Sequence, residues 1–63
     1  MAVEDRIAVV QALLDGIKRY ARLVQGNSFT EDTLSELKGN AKDVCNEAKS
    51  EIDSTKTDID NWS

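Results

Sequence analysis

The chain has no histidine and no proline, one cysteine, three glycines and three aromatic residues in 63 positions. Each scarcity closes something off. Without histidine, Ser/His/Asp and Cys/His nucleophile systems are excluded. A single thiol with scattered carboxylates is a poor zinc set. No glycine-rich phosphate loop is present. Asp58-Ile59-Asp60-Asn61 has the look of a calcium-loop start but lacks the glycine and the distal glutamate. No enzyme activity, cofactor or metal is therefore expected. Cys45 cannot form an internal disulfide. No apolar run approaches the ~20 residues of a membrane span. Glu4, Asp5 and Arg6 interrupt any signal-peptide pattern. A cytoplasmic, reducing setting without membrane is expected. Asn61-Trp62-Ser63 matches the glycosylation pattern, which has no role in such a setting.

The absence of proline also leaves long helices uninterrupted. Apolar residues recur at spacings of 3 and 4, with no sustained alternation, so the fold class is all-α. Val3, Ile7, Val10, Leu14, Ile17, Ala21 and Val24 follow at spacings of 4, 3, 4, 3, 4, 3. Beside them runs a second row, Val9, Leu13, Gly16, Tyr20 and Leu23. Two adjacent rows form a face broader than one partner helix needs. Glu4 and Asp5 fall in the first turn, where acids complement the helix dipole. Asp15 precedes Arg19 by four residues, a favourable pair. Gly26 is expected as the residue just past the helix end. Gly16 either permits a close helix approach or is simply tolerated, at ~1 kcal/mol relative to alanine.

Gly26-Asn27-Ser28-Phe29 reads as a turn, with Thr30 as N-cap and Glu31 and Asp32 in the next first turn. Phe29 and Leu34 then occupy the hydrophobic-staple positions. So short a turn makes the two helices antiparallel neighbours.

The second helical region carries Leu34, Leu37, Ala41, Cys45, Ala48, Ile52, Thr55, Ile59 and Trp62 at spacings of 3, 4, 4, 3, 4, 3, 4, 3. This is a heptad-like seam with one four-residue insertion, broadened by Val44. Gly39-Asn40 offers two readings. It could end one helix and cap another, giving three helices over roughly 3–25, 31–38 and 41–60. Alternatively the helix runs through, because the stripe keeps its face, and this is favoured. The chain end is rich in Ser, Asp and Thr, which are mediocre helix formers. Only Ile52, Ile59 and Trp62 are expected to hold it down. Trp62 reads as a core cap, with an exposed anchor for a partner as the alternative. Cys45 on the stripe reads as a buried thiol, with a symmetric contact between two copies as the alternative.

Net charge is −4. Residues 1–26 hold four basic and three acidic side chains, and residues 27–63 hold four and nine. Lys18, Arg19 and Arg22 with Tyr20 could contact phosphates. Folding at the turn would instead set these cations beside Glu31, Asp32 and Glu36. Nucleic acid is accordingly disfavoured as a partner.

A chain of this length rarely stabilises a core without disulfides, metal or oligomerisation. With the first two excluded, association remains. The expected protein is a single small domain, 1–63: an antiparallel helical hairpin that associates into a helical bundle or docks on a larger partner. The expected interface residues are Val3, Ile7, Val9, Val10, Leu13, Leu14, Ile17, Tyr20 and Val24 with Leu34, Leu37, Val44 and Ile52. In size and hairpin pattern the chain resembles small dimeric regulatory bundles and small phage assembly proteins. The function expected is a non-enzymatic interaction or assembly module. The alternative is a regulatory nucleic-acid binder using Lys18, Arg19 and Arg22.

Overall fold

A computed structural model describes residues 3–62. They form two α-helices, α1 (Val3–Gly26) and α2 (Glu31–Asp60), joined by residues 27–30. Arg6 near the start of α1 meets Glu51 and Asp58 near the end of α2, so the helices run antiparallel. The all-α hairpin expected from the spacing is the fold. Helix α2 passes through Gly39-Asn40 without a break.

The turn works as the residues dictate. Thr30 is extended, with φ −63° and ψ 158°, and its hydroxyl accepts a hydrogen bond from the Thr33 amide at 3.3 Å. That satisfies one of the donors a helix start leaves unpaired. Phe29 and Leu34, flanking the cap, are both half-buried. The end of α1 differs from expectation. Gly26 is still helical, and no glycine among the described residues has positive φ. The Asn27 side-chain amide donates to the Leu23 carbonyl at 3.0 Å, so an amide closes the helix rather than a left-handed glycine.

On α1 the residues turned toward α2 are Val3, Arg6, Val10, Leu13, Ile17 and Tyr20. The hairpin thus takes part of each apolar row, Val3, Val10 and Ile17 from one, and Leu13 and Tyr20, with Gly16 half-buried beside them, from the other. Ile7, Leu14, Ala21 and Val24 of the first row stay exposed, as do Val9 and Leu23 of the second.

On α2 the buried or half-buried residues are Leu34, Leu37, Ala41, Val44, Ala48, Glu51, Thr55 and Asp58, with Ser54 half-buried beside this row. Apart from Ser54, their spacing alternates between 3 and 4, with no insertion. The expected stutter is therefore absent, and Val44 belongs to the seam itself. Cys45, Ile52 and Ile59, each one position later, are exposed. Trp62 is 67% exposed and caps no core.

What holds the end of α2 is polar. The Arg6 guanidinium donates to Asp58, and at 3.3 Å to Glu51. All three side chains are largely covered, at 20–30% exposure. The Thr55 hydroxyl donates to the Glu51 carbonyl at 2.8 Å and that of Thr57 to the Asp53 carbonyl at 3.4 Å, while the Asn61 amide closes the helix on Thr57 and Asp58. The clamp from Arg6 replaces the apolar anchorage expected of Ile52, Ile59 and Trp62.

A Cβ added at Gly16 or Gly39 meets nothing within 4 Å. Gly16 therefore serves no close approach inside the hairpin. Gly39 lies exposed in mid-helix, where glycine costs ~1 kcal/mol relative to alanine. Gly39→Ala is expected to raise the melting temperature by about 4–8 °C, measured by circular dichroism. An unchanged melt would show that something outside the hairpin approaches that backbone.

Candidate interaction surface

The hairpin scarcely has an interior. Among the described residues only Ala48 is buried, at 5% exposure. The Cα atoms span 52 × 16 × 12 Å with a radius of gyration of 14.9 Å. A compact chain of this length would have a radius of about 10.6 Å. The accessible surface is 4983 Å². A compact monomer of this mass exposes about 4,000 Å², so the hairpin exposes roughly 1,000 Å² more.

The exposed apolar residues are not scattered. Successive helical residues turn by about 100°, so each helix has an inner seam and two flanking stripes. In an antiparallel pair, the stripe beside one seam meets its counterpart on the other helix. One flank therefore joins Ile7, Leu14 and Ala21 of α1 to Lys38, Cys45, Ile52 and Ile59 of α2. The structure shows this junction at the turn end, where Ala21 and Lys38 line one cleft of about 240 Å³ with Ile17, Tyr20, Val24, Leu34, Leu37 and Ala41. The opposite flank carries Val9, Gly16 and Leu23, but faces Thr33, Asn40, Glu47 and Ser54 of α2. Apart from Lys38 at the turn end, the first flank is apolar on both helices, and the second on one only.

Leu14 is 52% exposed, and Ile7 and Ile52 are 45% exposed each. These three expected interface residues lie on the apolar flank. Val9 lies on the mixed one. Val3, Val10, Leu13, Ile17, Tyr20, Leu34, Leu37 and Val44 belong to the hairpin's own seam. Val24 sits at its margin, 36% exposed and lining the cleft.

The basic cluster stands apart. Lys18, Arg19 and Arg22 are exposed, and none has a carboxylate within 4 Å among the described residues. The expected pairing with Glu31, Asp32 and Glu36 is not made, nor is the Asp15–Arg19 pair. For the pairing between the helices the reason is rotational. All six residues lie outside the inner seam, on surfaces that do not meet. A pair that does form, Lys56 with Asp53 at 3.9 Å, is well solvated and contributes little.

The surroundings of Arg6 shift its titration. The hydrogen bond to Asp58 raises its pKa above the ordinary arginine value, with the charges of Asp58 and Glu51 adding to it and desolvation opposing. It is charged at every pH where the protein would be handled. Because the folded-state value is raised, its contribution is fully present below the ordinary arginine value and is lost only above it.

Among the described residues, no group of three or more potential metal ligands comes together. None of the helices is long and apolar enough to cross a membrane. Comparison with known protein families, with curated proteins and with solved structures finds no match for this chain.

Proposed function

We propose that the protein is a non-enzymatic association module, a helical hairpin that completes its core by packing on a second copy or on a larger protein partner. The observation that carries this is the missing interior: one buried alanine among the described residues, beside a two-helix flank of exposed isoleucine and leucine. Burying one large aliphatic side chain stabilises by ~1.5–3 kcal/mol. Leaving that flank wet forgoes several times this amount in a chain whose total stability is only ~0.05–0.15 kcal/mol per residue. An exposed thiol at Cys45 suits a reducing intracellular setting. Light scattering with a circular dichroism melt tests the reading. A particle heavier than the 7.0 kDa chain is expected. A particle of single-chain mass at high micromolar concentration that still melts cooperatively would overturn it.

A second reading has one observation in its favour. Lys18, Arg19 and Arg22 are exposed and, among the described residues, unpaired, as phosphate contacts would need to be. Against it stands the net charge of −4, which repels a phosphate backbone at long range. The expected result of a duplex DNA or RNA titration at physiological salt is no measurable binding. Micromolar binding that weakens steeply with salt and disappears in Lys18→Glu/Arg22→Glu would reverse the order of the two readings.

A further inference from the structure

We infer that the occupant of the apolar flank is a second copy of this chain, laid face to face with its ends reversed, so that the two-fold axis crosses the rod at Leu14 and Cys45. The inference rests on the association reading above and goes further, naming the face, the occupant and the orientation.

Area comes first. A face of 52 × 16 Å has a footprint of about 830 Å². A standard stable interface covers ~800 Å² on each partner. The same footprint would remove most of the roughly 1,000 Å² by which the hairpin exceeds a compact chain of its mass. One further layer of two helices suffices, and the product is a four-helix bundle with antiparallel neighbours.

Shape then selects the orientation. Along the flank, the open end of the rod carries bulk, with Ile7, Ile52 and Ile59. The turn end carries the 240 Å³ cleft at Ala21. Leu14 and Cys45 lie at the midpoints of α1 and α2. Stacking two copies with their turns together would set bulk on bulk and cleft on cleft. Reversing one copy seats the isoleucines of each over the cleft of the other, as knobs over a hole.

Charge selects the same orientation independently. The open half of the rod, residues 3–14 and 46–62, holds three cations and seven carboxylates, a net −4. The turn half, residues 15–45, holds five of each. Turns together would stack −4 on −4. Reversal lays each acidic half over a neutral half that contains Lys18, Arg19 and Arg22. The feature that ties these observations together is a flank tapered in both volume and charge, whose symmetric complement is itself turned end for end.

In such a dimer the two Cys45 side chains face each other at the axis, while the two turns lie at opposite ends. The full-length protein is expected to have twice its 7.0 kDa mass by sedimentation equilibrium. A short bis-maleimide, which adds each thiol across a maleimide double bond, is expected to link Cys45 to Cys45 in most molecules at micromolar concentration. In Cys45→Ser/Ser28→Cys the thiol moves to the exposed turn, where folding is not at risk. The same reagent is expected to give no covalent dimer there, and spin labels at that position should lie near the 52 Å length of the rod. A dimer mass with close turn-to-turn labels, or without the Cys45 link, overturns this geometry and leaves the association module standing. A cooperatively melting particle of single-chain mass overturns both.

Discussion

Leu14→Asp is expected to split the assembled protein and to melt most of its helix with it. In the hairpin alone this substitution should be nearly silent. Leu14 is 52% exposed and points away from the seam. Exposed substitutions usually change stability by no more than about 0.5 kcal/mol in either direction. Under a second layer the same position lies at the centre of an apolar contact. An unpaired carboxylate there costs several kcal/mol, enough to weaken association ~100-fold or more. The freed hairpin retains one buried residue among those described, so dissociation should bring loss of helicity. Ala8→Asp provides the control, since Ala8 is exposed on the side of α1 away from both α2 and the apolar flank. Sedimentation and circular dichroism at one concentration compare the three proteins. If Leu14→Asp keeps the parent's mass and melt, the flank is uncovered in solution.

The helices, the turn and its cap were all legible in the sequence. Spacings of 3 and 4 set the fold class. Thr30, flanked by Phe29 and Leu34 and followed by two acids, placed the start of α2. Legibility ended at rotation. A broad apolar face contains several stripes, and its pattern alone does not say which stripe meets the neighbouring helix. Cys45, Ile52 and Ile59 are more apolar than Val44, Glu51 and Asp58 taken together, so the pattern followed them. The fold uses the stripe one residue earlier. What makes that stripe workable is Arg6, whose charge satisfies Glu51 and Asp58 across the seam. Such a polar cluster is invisible to a search that follows hydrophobicity, because each member alone reads as surface. A strict alternation of 3 and 4 from Leu34 onward was the signal that could have exposed it.

The basic cluster shows the same limit from the other side. Lys18, Arg19 and Arg22 were legible as an exposed patch. Their pairing was not, because proximity along a folded hairpin does not imply a shared surface. A carboxylate on the outward side of α2 cannot reach a cation on the outward side of α1. The difference in charge between the two ends of the rod does not depend on such contacts. It needs only the order of residues along the helices.

Arg6→Glu should unwind the last turns of α2. The native guanidinium sits between two carboxylates in a partly covered seam. Reversal puts three carboxylates there with no cation among them, next to helix residues of low intrinsic propensity. Apolar contacts do not compensate, because Ile52, Ile59 and Trp62 all face outward from the hairpin. Amide exchange over residues 51–60 is expected to become fast, while residues 31–45 keep more of their protection. The double substitution Arg6→Glu/Asp58→Arg restores an opposite-charge contact across the same seam and should recover much of the loss, a coupling read by the double-mutant cycle. Arg6→Met/Glu51→Leu/Asp58→Leu removes all three charges and should melt at or above the parent, since a well-packed apolar seam often equals or exceeds a covered ion cluster. The order expected is therefore triple variant at or above parent, then the charge swap, then Arg6→Glu. Changing pH from 7 to 10 should not reproduce the effect of Arg6→Glu, because an arginine stays protonated throughout that range and the hydrogen bond to Asp58 only raises its pKa further. Equal exchange in the parent and in Arg6→Glu would show that something other than Arg6, such as a partner layer over Ile52 and Ile59, holds the end of α2.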